Sequence, residues 1–299
     1  MQVSGFSGIW PILYAYFDAA GRLDRVAMRR QADACVAGGA HGMAVLGLAT
    51  EVAKLSPTER RLVVEWAAED VAGRLPLAVT IYGATPQAQQ DAVAHAAGCG
   101  AALAILQPPR LPDLTEAALA EFFGHVMARA AIPCGIQNAP EFLGIGLSPS
   151  AIAALARDQP SFIVLKGEGP ATLIARTVAE VGARLAVFNG RGGLELPDNV
   201  RAGCAGMIPA LDCFEAQVAI LAAMRRGDEA EAEHRYRAIL PAIVFVMQGI
   251  DHLVCYGKRL VAARLGLEPV HDRAPGLAPT AFGEAVVARF AAELGRLPG

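Results

Sequence analysis

The strongest constraint on this chain is a repeated pattern, a short apolar run followed by a longer stretch of helical period. Runs rich in Val, Ile and Leu fall at 8–13, 42–46, 77–81, 102–106, 133–137, 162–166, 185–188 and 206–208. Between them, apolar residues recur at helical spacing over 24–37, 57–72, 86–97, 116–130, 149–157, 170–181 and 194–202. A strand that is apolar throughout is buried on both faces, and strand–helix alternation makes it parallel to its neighbours. Eight such units in about 210 residues fit a closed (β/α)8 barrel better than an open doubly wound sheet. No Gly-x-Gly-x-x-Gly follows the first run, so the dinucleotide-binding sheet lacks its fingerprint.

The helix boundaries carry their own chemistry. Ser56-Pro57-Thr58-Glu59 places serine at the N-cap, proline in the first turn and glutamate where it can reach back to the cap. Thr85-Pro86 and Ser148-Pro149 repeat the device, and Gly38, Gly73, Gly98 and Gly203 stand where helices stop. After 208 the strands cease. Helical patterns over 214–226, 228–248, 251–265 and 280–294 follow, with Asp251 reading as an N-cap. The expected organisation is a barrel over 1–226 and a C-terminal helical extension over 227–299.

Composition narrows the function classes. With 54% hydrophobic and 18% charged residues a large core is available without disulfide staples, and the six cysteines form no Cys-x-x-Cys pair. A net charge of −3 offers no basic field for a phosphate backbone, which excludes nucleic acid as the expected partner. The opening residues Met1 to Gly8 show no signal core, and no stretch approaches the ~18 apolar residues of a membrane span. A cytoplasmic protein with reduced thiols is the expectation. The six histidines are scattered outside any metal-binding spacing, so no metal is expected.

In such a barrel the chemistry sits at the C-terminal ends of the strands. The polar residues there are Thr50 and Glu51, Tyr82, Gln107, Gln137 and Asn138, Lys166, and Asn189-Gly190-Arg191. Lys166 closes the apolar run 162–165 and is one of only three lysines, with Lys54 and Lys258. Lysine among buried apolar groups needs a partner or a task, and desolvation favours the neutral amine that attacks a ketone. From position alone the alternative is a strand-end lysine snorkelling to solvent. Glu51 and Glu168 read either as general acid–base groups or as loop anchors. Gln137 and Asn138 can orient a substrate or water but cannot carry its proton. Asn189-Gly190-Arg191-Gly192-Gly193 could cradle an anion on backbone N–H groups, without the lysine of a nucleotide loop.

Taken in order, Gly8…Pro11, Gly47-Leu48-Ala49-Thr50-Glu51, Pro108-Pro109, Gln137-Asn138-Ala139-Pro140, Lys166 and Gly206-Met207-Ile208 resemble the dihydrodipicolinate synthase / N-acetylneuraminate lyase superfamily. The resemblance implies that Lys166 forms a Schiff base with a small 2-oxo acid, that no cofactor is used, and that the chain forms a homotetramer or dimer. It also implies substrate contacts from Ala49, Thr50, Glu51, Asn138, Glu168, Asn189 and Ile208, with Gln137 in a catalytic position.

The departures from that pattern are informative. The family's strand-five tyrosine falls at Gln137, its cross-dimer tyrosine near Arg110, and its strand-five arginine at Phe142. Within the superfamily, Gln137-Asn138-Ala139-Pro140 and Thr50-Glu51 are similar to the pattern of 2-keto-3-deoxy-L-arabonate dehydratases. Dehydration of a 2-keto-3-deoxy sugar acid is therefore the leading expectation. A pyruvate-dependent aldolase or synthase is the alternative, and a non-catalytic 2-oxo-acid-binding barrel a further one. An ordered water held by Gln137 and Thr50 is the expected proton carrier, and backbone N–H groups around Ala49 and Thr50 the expected carboxylate site.

Overall fold

The computed structural model describes residues 5–299; of the opening stretch read above, Met1 to Ser4 lie outside the described residues. The chain runs β1 (Gly8–Ile9), α1 (Arg25–Ala37), β2 (Met43–Val45), α2 (Pro57–Val71), β3 (Leu77–Ile81), α3 (Pro86–Gly98), β4 (Leu103–Leu106), α4 (Glu116–Met127) and β5 (Cys134–Asn138). A short α5 (Pro140–Leu143) precedes α6 (Pro149–Asp158), β6 (Phe162–Gly167), α7 (Ala171–Val181), β7 (Ala186–Asn189), α8 (Leu196–Arg201) and β8 (Gly206–Met207). Five helices follow: α9 (Phe214–Arg225), α10 (Glu229–Val246), α11 (Ile250–His252), α12 (Lys258–Leu265) and α13 (Ala281–Leu294), with a π turn at Leu253–Gly257 between α11 and α12.

All eight strands are parallel, in the order β1-β8-β7-β6-β5-β4-β3-β2. The two ends of that order meet through a bridge from Ile12 to Ala44, with Ala44 N–H donating to the Pro11 carbonyl and Leu13 N–H to that of Ala44. The sheet is thus a closed (β/α)8 barrel, as the alternation predicts. β1 is shorter than the run 8–13 because Pro11 has no N–H to give. Its ladder breaks there and resumes at Ile12, which also bridges Ala210 beyond Pro209. Where β1 meets β8 the backbones nearly touch, and a Cβ on Gly206 would lie 1.9 Å from the Gly8 carbonyl oxygen. Only glycine closes the barrel at that seam.

Helix starts follow the sequence chemistry. Ser56 and Glu59 form a reciprocal capping box, and Thr85 and Ser148 each accept from the backbone three residues on. The last helices differ in detail. The segment expected to open at Asp251 opens at Ile250 behind Gly249, which leaves Asp251 inside the first turn. All six cysteines are free. Among the described residues no single helix is long and apolar enough to cross a membrane.

Candidate active site

Register decides what faces what at the barrel mouth. Gln137 of β5 lies abreast of Lys166 of β6, and Lys166 abreast of Phe188 of β7. Gln107 follows β4, whose Leu106 is abreast of Ile136, so it falls level with Gln137. Strand alternation then sends Glu168 to the same side as Lys166. The result is a polar line around the inside of the barrel. Gln107 Nε2 donates to Gln137 Oε1 at 2.8 Å, and Gln137 Nε2 donates to Glu168 Oε1 at 2.6 Å. Lys166 Nζ stands 2.8 Å from the same Glu168 oxygen. Gln89 of α3 anchors the far end by donating to the Gln107 carbonyl.

Lys166 is 3% exposed, and its side chain stays inside the barrel instead of reaching out to bulk water. It lines a small cavity of about 30 Å³ with Glu168, Ala49, Ile208, Arg191 and Gly192, room for roughly one water. Glu168 reaches this position because residue 190 is glycine: a Cβ there would stand 2.8 Å from the Glu168 carboxyl carbon. Met247, Ile250 and Leu253, from the C-terminal helices, roof the cavity. On the far side of Leu48 and Ile250 lies an open vestibule of about 720 Å³, walled by Glu51, Lys54, Tyr82, Gln107, Arg110 and Asp251 among others.

The remaining residues singled out in the sequence are placed as follows. Glu51 faces the vestibule and is held by Lys258, fully buried on α12, and by Lys54 at 2.5 Å. Thr50 donates its hydroxyl to the Leu13 carbonyl at 2.6 Å and its N–H to Gly47, while Glu51 N–H is taken by Leu48. Asn138 turns away from the cavity and clasps Leu147, its amide donating to the Leu147 carbonyl and its oxygen accepting from Leu147 N–H. Asn189 donates to Gly169 and Asn199 and accepts from Gly190 N–H, which fixes the β7 loop. The cavity therefore gathers Lys166, Glu168, Ala49 and Ile208, with Gln137 behind Glu168; Thr50, Glu51, Asn138 and Asn189 shape the loops around it.

Three features of the site escaped sequence reasoning. Gln107 was visible as a strand-end polar residue, but its bond to Gln137 depends on register. The roof from residues 247–253 comes from beyond the barrel, where nothing local signals a site. Lys258 sits in an ordinary helical period, and only its rarity in this arginine-rich chain marked it. Among the described residues, no three His, Cys, Asp or Glu side chains gather as a metal-holding group.

The buried lysine–carboxylate pair lies at the C-terminal mouth of the strands, the end at which (β/α)8 enzymes carry their chemistry. Residues 5–274 match the model of the dihydrodipicolinate synthetase family. The chain belongs to that family, an enzyme family of lyases and aldolases. An L-2-keto-3-deoxyarabonate dehydratase of Azospirillum brasilense is 29% identical over 245 residues, 79% of this chain and 78% of its own length. A 4-hydroxy-tetrahydrodipicolinate synthase of Thermus thermophilus is 30% identical over 193 residues, 64% of each chain. The structure of Escherichia coli YagE, a member of the same family in complex with pyruvate, superposes with a TM-score of 0.87 at 22% identity, covering 97% of this chain and 98% of that one.

Proposed function

We propose that this chain is a class I lyase that binds a small 2-oxo acid as a Schiff base on Lys166 and dehydrates a 2-keto-3-deoxy sugar acid such as 2-keto-3-deoxy-L-arabonate. The observation that carries this reading is the burial of Lys166 Nζ beside Glu168 in the closed end of the barrel mouth. A carboxylate at 2.8 Å gives the lysine's proton an acceptor. The freed amine then attacks C2 of the ketone, and water leaves as the imine forms. The similarity to the Azospirillum dehydratase supports dehydration.

The imine draws electrons from C3. Glu168 takes the C3 proton, the C3–H electron pair becomes the enamine double bond, and collapse of the enamine expels the C4 hydroxyl. That hydroxyl leaves as water by taking the proton back from Glu168. A C5 proton then moves to C3, the resulting C4=C5 enol gains a proton at C4 as its hydroxyl loses one to give the C5 aldehyde, and hydrolysis of the imine releases the semialdehyde. Gln137 stands where the family pattern has a tyrosine, but an amide carries no proton at neutral pH. Its bonds to Glu168 and Gln107 make it a positioning residue that aims the carboxylate. A water shared by Gln137 and Thr50 is a poorer carrier, since Gln137 is bonded on both sides and the Thr50 hydroxyl donates to Leu13.

The ~30 Å³ cavity is far smaller than a five-carbon acid, so the substrate enters through the vestibule and displaces the Leu48–Ile250 partition. In this reading the extension over 227–299 serves as the roof of the site. Assembly as a homo-oligomer, dimer or tetramer, and residence in the cytoplasm belong to the same proposal.

Borohydride reduction in the presence of pyruvate, followed by intact and peptide mass analysis, is the test. The expected result is one pyruvyl adduct on the peptide containing Lys166, absent in Lys166→Ala, together with complete loss of turnover in that variant. Full activity in Lys166→Ala with no trapped adduct would sink the reading, while a wild type that binds pyruvate but shows neither turnover nor adduct would favour a non-catalytic 2-oxo-acid-binding barrel. The similarity to a synthase keeps an aldolase or synthase as the second reading. Release of pyruvate from the sugar acid, in place of a semialdehyde, would decide for the aldolase.

A further inference from the structure

Two amides stand between the Glu168 carboxylate and the vestibule, and the carboxylate fixes which way each of them points. A carboxylate only accepts hydrogen bonds, so Gln137 turns its Nε2 toward Glu168, at 2.6 Å. The Gln137 oxygen is thereby left to face β4, where Gln107 Nε2 donates to it at 2.8 Å. Turning either amide over would set oxygen against oxygen. The free end of the chain is therefore the Gln107 carbonyl oxygen, and Gln107 lines the vestibule. Among the described residues no donor reaches that oxygen, although Gln107 is only 2% exposed. Its backbone is held by Gln89, which donates to the Gln107 main-chain carbonyl at 2.8 Å.

The charged residues of the vestibule are Glu51, Lys54, Arg110 and Asp251, two acids against two bases. Charge alone thus gives no preference between a tail that ends in a hydroxyl and one that ends in a carboxylate. The Gln107 oxygen does. A hydroxyl donates to it, whereas a carboxylate would press one acceptor against another and leave both without a partner as water is expelled. A hydroxyl bound there also polarises the amides behind it and strengthens the bond that holds Glu168.

We propose that Gln107 is a specificity-determining residue whose Oε1 accepts a hydrogen bond from the C5 hydroxyl of the substrate. The substrate class is then a 2-oxo acid with a neutral, hydroxylated tail, and a tail ending in a carboxylate is disfavoured. The C4 hydroxyl is the group expelled, so the C5 hydroxyl is the one that stays through the reaction. This assignment rests on the Schiff-base reading above, with the reacting end in the inner cavity and the tail in the vestibule, and adds a residue to it.

The test uses three five-carbon 2-oxo acids that differ only at C5: 5-hydroxy-2-oxopentanoate, 2-oxopentanoate and 2-oxoglutarate. None has a C4 hydroxyl, so none can be dehydrated. Each is trapped on Lys166 with borohydride, and the concentration giving half-maximal labelling is read by intact mass, with pyruvate as the tailless control. In the wild type that concentration is expected to be about 3- to 10-fold lower for 5-hydroxy-2-oxopentanoate than for 2-oxopentanoate, with 2-oxoglutarate at or above 2-oxopentanoate. Gln107→Met removes the acceptor and is expected to bring the first two acids to parity; a merely structural loss would shift both and keep their ratio. No gap in the wild type, a gap that survives in Gln107→Met, or 2-oxoglutarate labelling more readily than 2-oxopentanoate overturns the assignment of Gln107 alone. Failure of pyruvate to label the wild type overturns the Schiff-base reading and this proposal with it. If Gln107→Met does not fold, the order of the three acids on the wild type decides: the expected order supports the assignment and any other refutes it.

Discussion

Lys166 and Glu168 share one oxygen with Gln137, Glu168 Oε1, and the proposed division of labour follows from side-chain chemistry. Lysine supplies the nucleophile, glutamate moves the proton, and glutamine holds the glutamate. Glu168→Gln keeps the size and an acceptor for Gln137 but cannot carry a proton. Turnover of 2-keto-3-deoxy-L-arabonate is expected to fall by about 10²–10⁴-fold, while pyruvate is still trapped on Lys166. Unchanged kcat in that variant would remove the carboxylate from the proton path. At this scale the lysine was legible because it ends an apolar run. Glu168 was not, since it reads equally well as a loop anchor until the register brings it against Lys166.

The elements around the site are tied to the barrel by buried charge. Glu51 follows β2, has a backbone φ of 56°, and is paired with Lys258 on α12; both side chains are buried, at 1% and 0% exposed. Asp272 lies 3.6 Å from Lys258, and Lys54 also grips Glu51. This cluster joins the strand-two loop, which carries Leu48 and Ala49 into the site, to the C-terminal helices that roof it. Removing one partner of a buried pair costs more than the pair itself contributes, because the other charge is stranded. Lys258→Met is therefore expected to destabilise the fold toward the low end of about 3–5 kcal/mol, Lys54 remaining as a partner for Glu51. The double variant Lys258→Met/Glu51→Gln should recover part of that loss, and urea denaturation of the single and double variants checks it. The helix caps and strand positions in this region were readable from Ser56, Glu59 and the apolar runs. The tie between residues 51 and 258 was not, because no local rule pairs positions that distant in the chain.

Over the whole molecule, a second buried acid ties the barrel to the extension. The Tyr14 hydroxyl donates to Asp212 after β8, and Gly257 of the π turn packs directly against both. Burial pushes the Asp212 carboxyl up to about 6, against the pull of the Tyr14 hydroxyl and the Arg264 guanidinium. An acid whose folded-state pKa lies above its unfolded value binds its proton more tightly when folded, so stability falls as pH rises between the two values. For Asp212 that window runs from roughly pH 4 to 6, and the loss is of the order of 3 kcal/mol. Asp212→Asn cannot ionise. Its stability relative to wild type should rise across that window and level off above it, as read from urea midpoints between pH 4 and 7. A flat difference would show that Asp212 does not titrate there.

The sequence by itself determined the barrel, the order of its strands, most helix boundaries and the lysine at the end of the sixth strand. These are set by period, by capping groups and by the cost of burying unpaired polar atoms, all of which act within a few residues along the chain. The tertiary structure decided which side chains share the cavity. Strand register set Gln107, Gln137 and Glu168 in line, Gly190 made room for the carboxylate, and residues 247–253 came across from the extension to close the mouth. Such contacts join groups far apart in sequence, and their geometry exists only once the barrel has closed.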